Sequence, residues 1–155
     1  MSFFAAILGL IGTGQIAFTG YNLYLSSIAI PKLLSYEDKA VKAAKYSNIA
    51  EAQLFKTRTT QAASVGSLLL TLLTAIPFLL LRYSSGTIFL VSAVNLAVLI
   101  ATGKYVGDFW KGKAKIPIPG TGNFNDAIGL TNEIRENEYF LAMSWVAYGV
   151  VGLLA

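Results

Sequence analysis

Three carboxylates stand where acid–base chemistry could be done: Glu51, Asp126 and Glu133. They matter because so few other groups here can move a proton. Cysteine and histidine are both absent. Their absence excludes disulfides, Cys/His metal sites, haem held by His or Cys, and Ser-His-Asp or Cys-His nucleophilic catalysis. Proton transfer is left to carboxylates, tyrosine, lysine or water. Arg58, Asn123 and Asn125 lie in the same polar segments, where they could orient a substrate oxygen or stabilise developing negative charge. No metal and no cofactor is expected.

A second set of residues suits binding rather than proton transfer. Gln15, Asn22 and Asn95 are amides inside long apolar stretches, and an amide in hydrocarbon must find a partner. They read either as interhelical hydrogen bonds or as contacts to a bound molecule, and the three together could form one network. Gln61, Ser64, Ser67, Thr71 and Thr74 follow steps of 3, 3, 4 and 3. That spacing puts them on one helical face. The face is expected to look into a bundle, where it serves packing or lines a ligand cavity.

These residues are carried by charge-free runs. Of the 155 residues, 55% are hydrophobic and only 13% charged, against about a quarter charged in soluble domains. The charges are crowded into short segments. Charge-free stretches cover positions 1–31, 59–81, 83–103 and 139–155. A helix needs about 20 apolar residues to cross the hydrocarbon of a bilayer, so three runs pass and the fourth is marginal. The expected fold is an all-α, integral membrane four-helix bundle forming a single domain. Its spans are placed at about 3–30, 59–81, 85–104 and 139–155. The first run has no basic leader and no small-residue cleavage site, so it is read as a span and not a signal peptide.

An even number of spans puts segments 32–58 and 105–138 on one side. With Lys104 at the edge of the third span, that side holds 11 of the 12 basic residues, and only Arg82 faces the other. The positive-inside rule assigns it to the cytoplasm, with both termini outside or lumenal. The net charge of +4 belongs to this asymmetry and suits an anionic leaflet, not nucleic acid.

The connecting segments carry further signals. Pro31 is expected to end the first span. Ser35 with Asp38 three residues on resembles an N-cap pattern. Segment 36–58 is rich in helix formers, so one long helix is expected from about Tyr36 to about Leu81, its first half projecting from the membrane and Pro77 kinking it near its end. Gly9, Gly12, Gly14 and Gly20 mark a packing face on the first helix. RYSSG at 82–86 is a tight helical hairpin. The stretch IPIPGTGNFND, residues 116–126, has two prolines and two glycines and reads as a loop. Gly120 and Gly122 lack the lysine and strand–turn–helix context of a phosphate-binding loop. The polar residues after this stretch read either as a solvated helix leading into the last span or as a cover over the mouth of the bundle.

Two families are similar in part. A basic segment before a second span, with Arg58 and Gln61, resembles the membrane-associated glutathione-binding enzymes of eicosanoid metabolism. The asparagine and glutamate that follow in that family's motif are absent; Ala63, Ser64, Val65 and Gly66 stand there. Three stretches resemble the anthrone-oxygenase-like family of small four-helix membrane proteins. They are SSIAIPKLL (Ser26–Leu34), PIPGTGNFNDAIGL (Pro117–Leu130) and NEIRENEYFLAMSW (Asn132–Trp145). That family's tryptophan early in the second helix has no counterpart. The resemblance implies oxidation of a lipophilic aromatic molecule by oxygen without metal or flavin.

Three readings of function follow. One is an enzyme acting on a lipophilic small molecule in biosynthesis, with Asp126, Glu51 or Glu133 as base and with Asn22, Gln15, Gln61, Arg58, Asn95, Asn123 and Asn125 around the substrate. Another is a glutathione-dependent transferase or isomerase. The third is a non-catalytic subunit of a larger membrane complex, or a homo-oligomer. Membrane lipid is a partner in all three.

Overall fold

The computed structural model describes residues 3–37, 41, 45, 48–113 and 122–155. Among them are four long helices and no strand: α1 (Phe3–Leu34), α2 (Asn48–Leu80), α3 (Ser85–Trp110) and α4 (Gly122–Leu154). At 1.5 Å per residue the shortest, α3, runs about 39 Å, enough to cross a hydrocarbon layer of about 30 Å. The first three helices are long and apolar enough to cross a membrane; in α2 the apolar portion is Glu51–Leu80. The marginal fourth run falls short of that standard, because α4 spends its first half on Asp126, Glu133, Arg135, Glu136 and Glu138.

The helices form a square ring. Each packs on its neighbours in the order α1, α2, α3, α4 and back to α1, while α2 and α4 barely meet across the diagonal. The burial pattern inverts that of a soluble bundle. Leu10, Leu73, Leu90, Phe140 and Met143 point outward and exposed. Gln15, Thr19, Asn22, Gln61, Ser64, Ser67, Thr71, Ser92, Asn95 and Thr131 are buried. An apolar exterior over a polar interior is stable only where the surroundings are themselves apolar.

The closest approach is between α3 and α4. A Cβ on Gly103 would stand 3.0 Å from the Tyr139 ring, one on Gly149 would stand 3.0 Å from Ser92, and one on Gly152 would overlap Ile88. The glycines expected to pack α1 behave differently. Only Gly12 faces a neighbour, Leu79 of α2 at 3.2 Å from an added Cβ, while Gly9, Gly14 and Gly20 have open space. The small-residue seam therefore lies on α3 and α4, where glycine recurs opposite a bulky partner.

Several boundaries differ from the sequence reading. Pro31 does not end α1, which continues to Leu34. A proline in the last turn forfeits only one backbone bond, and the Ser35 N–H then bonds the Pro31 carbonyl at 3.1 Å. Ser35 sits at the C-terminal end of α1, with its hydroxyl donating to the Lys32 carbonyl at 2.7 Å. Asp38, its expected partner, lies outside the described residues. The single helix expected from Tyr36 is interrupted, because Tyr36 and Lys45 are in turns and α2 starts at Asn48. Asn48 with Glu51 three residues later is itself a start signal, and Glu51 in the first turn suits the helix dipole.

The hairpin before α3 is as tight as expected. Ser84 caps α3, its hydroxyl accepting from the Thr87 N–H at 3.2 Å. Of the expected loop 116–126, residues 116–121 lie outside the described residues, and Gly122 to Asp126 are already helical. The cause is packing. Phe124, Ala127 and Ile128, at helical spacing, close over Leu33, Val106 and Trp110 in a second apolar cluster. That cluster holds the first turns of α4 against the ends of α1 and α3.

Candidate functional site

Where α1 ends, α2 begins and α4 starts, a cavity of about 670 Å³ opens. Ile30, Leu33, Leu34, Leu54, Ala62, Val65 and Phe124 make it largely apolar. Its charged and polar lining residues are Arg58, Lys113, Glu37, Gln53 and Gln61, with Tyr36 and Thr57. Arg58 and Glu37 form an ion pair. The Lys113 ammonium donates to Gln53 Oε1 at 3.0 Å and lies 4.1 Å from the centre of the Phe109 ring. Partial burial pushes the Lys113 ammonium below the ordinary lysine range. Gln61 forms part of the cavity wall and is held from behind, donating to Thr131 of α4 at 3.0 Å.

Next to Gln61 on α2 begins the bundle's interior. Trp110, wholly buried, donates its indole N–H to the Thr60 hydroxyl at 2.8 Å. About two turns further along α2, Ser67 donates to Glu138 Oε1 at 3.1 Å, and Ser64 reaches the same carboxyl. Glu138 has no exposed surface, and its Oε2 has no hydrogen-bond partner among the described residues. A carboxyl group therefore lies in the bundle's interior. Glu138 lies immediately before the last charge-free run, and the helix carries it inward.

The predicted site residues are dispersed. Gln15 donates to Ser144 at 3.0 Å. Asn22 bonds the Phe18 carbonyl through its amide nitrogen and accepts from Asn137 at 2.9 Å through its oxygen. Asn95 accepts from Thr71 and Thr74 at 3.4 and 3.3 Å and bonds the Val91 carbonyl. The three amides thus make three separate ties at different depths and not one network. Asp126 pairs with Lys32 at 2.7 Å, and Glu133 accepts from the Tyr21 hydroxyl at 2.9 Å. Glu51 and Asn123 are exposed, and Asn125 is half-buried. Only Arg58 and Gln61 among the predicted residues line the cavity.

Sequence reasoning missed Lys113, Gln53 and Glu37 at the cavity, which lie far apart in the chain and carry no motif. It also missed Glu138, for which a signal existed. Thr131, Ile134, Glu138, Leu141 and Trp145 follow steps of 3, 4, 3 and 4, and all five are buried. Among the described residues no group of three or more acidic ligands is placed to hold a metal. In comparisons with known proteins, the chain matches no family model, no curated protein and no solved structure.

Proposed function

We propose that this membrane protein binds a lipophilic small molecule with an acidic head group in the cavity between α1 and α2. The observation that carries the reading is the lining. Apolar side chains enclose about 670 Å³, within the usual range of small-molecule sites, and the charged groups are two cations and one carboxylate. Arg58 is shared with Glu37, which leaves Lys113 for the anionic head. Gln53 and Gln61 add hydrogen-bonding capacity. The apolar tail lies against Leu33, Leu54 and Val65.

Binding is favoured over catalysis by the same geometry. Asp126, Glu51 and Glu133, the expected bases, are outside the cavity lining. The basic end of the molecule is read as cytoplasmic, so the ligand enters from the cytoplasmic leaflet.

The test uses protein in lipid nanodiscs and three fluorescent probes with one aliphatic chain, ending in a carboxylate, an alcohol or an amine. The carboxylate is expected to bind at least tenfold more tightly than the other two. Lys113→Gln should remove that preference, and Val65→Trp should fill the cavity and abolish binding of all three. Equal affinity for the three heads, or undiminished binding to Val65→Trp, would sink the proposal.

A further inference from the structure

The carboxyl of Glu138 has no use in the cavity reading and stands on its own evidence. It lies wholly inside the bundle, with Ser67 on Oε1 and, among the described residues, no partner on Oε2. Glu138 takes part in none of the ion pairs among the described residues. The groups around it are neutral. From α2 come Ser64 and Ser67. From α1 the polar group at this level is Asn22, occupied by Asn137. On α3, Gly103 lies beneath the ring of Tyr139, the residue that follows Glu138. On its own helix the nearest cation, Arg135, forms no ion pair with Glu138. Its aliphatic carbon would stand 3.2 Å from a Cβ on Gly107, and its guanidinium donates to Glu136 at 3.1 Å.

A lone carboxylate cannot be held bare in so apolar a shell. Either a cation of the protein neutralises it or a cation from outside does, and among the described residues no cation of the protein pairs with it. Two serine hydroxyls are also more than packing needs at one carboxyl. We infer that Glu138, with Ser64 and Ser67, is a binding site for one small monovalent cation, a proton or a sodium ion, inside the bundle. A proton would occupy Oε2 alone. A sodium ion would share Oε2 with the serine hydroxyl oxygens. In both cases the bound state is neutral, and the empty state places an uncompensated charge in the core.

A hydrophobic carbodiimide tests this on the full chain in detergent micelles. The reagent adds to a protonated buried carboxyl as a stable N-acylurea, which peptide mass spectrometry locates. Glu138 is expected to be labelled. Labelling that falls at least tenfold when sodium replaces choline at fixed pH identifies a sodium site. Labelling that ignores sodium but falls as pH rises identifies a proton site. No labelling of Glu138 under any condition, or labelling that responds to neither cation, overturns the inference. This measurement needs no variant. As a second arm, the unfolding temperature of the wild type should vary with pH or sodium more than that of Glu138→Gln. Equal variation in the two proteins also overturns it.

Discussion

Lys113 shows how much of the site depends on one side chain's surroundings. Its ammonium lies over Phe109, its donor is engaged by Gln53, and burial lowers its pKa. A lowered lysine is fully charged below its shifted pKa and loses its charge as pH rises through it. Affinity for an acidic ligand should therefore fall as pH rises through that shifted pKa, earlier than for an ordinary lysine. A probe-binding titration from neutral to alkaline pH checks this, and Lys113→Gln should give a flat profile over the same interval. At this scale the sequence was legible where periodicity spoke. Gln61, Ser64, Ser67 and Thr71 are buried on the face their spacing assigns. It was illegible where a long side chain's target lies on another helix. Glu133 and Asp126 look like site carboxylates, yet Tyr21 and Lys32 of α1 engage them away from the cavity.

At the scale of elements, α3 and α4 form the most closely packed pair of the molecule. Gly103, Gly149 and Gly152 let the two helices approach until Tyr139, Ser92 and Ile88 fill the glycine gaps. Gly152→Ala should force Ile88 aside and cost about 1–3 kcal/mol, the usual range for overpacking. Gly9→Ala, with open space around it, should be neutral or slightly stabilising, since alanine is the better helix former. Thermal unfolding of both variants in the same detergent checks the contrast. Helix existence was readable from charge-free runs because hydrophobic length is a property of one segment. Glycine seams were not, because a seam needs a partner. The glycine-rich α1 drew attention, but its glycines mostly face open space. The loop expected across residues 116–126 failed in its second half for a related reason, since Phe124 and Ile128 gain their helix from contacts with α1 and α3.

The whole molecule combines an apolar outside, a polar inside and a basic end. With no cysteine in the chain, single-cysteine variants can report sidedness without a background. Lys111→Cys should be shielded from a membrane-impermeant thiol reagent in intact cells, and Arg82→Cys should react. The reverse pattern would invert the orientation read from the charges. The internal hydroxyls and amides have a further consequence, for biogenesis. In α1 and α2, Thr13, Asn22, Ser26, Thr60 and Thr74 each bond a carbonyl of their own helix three or four residues back. Such helices enter a bilayer with much of their polarity already satisfied and need no neighbour to do so. α4 differs, because Glu138 finds its serine only on α2. The helix least able to insert alone also leaves the ribosome after α1, α2 and α3, when its hosts are already in place. A chain ending at Lys113 should integrate into microsomes by itself. Residues 122–155 expressed alone should remain extractable at alkaline pH, and should become resistant when the first three helices are supplied as a separate chain.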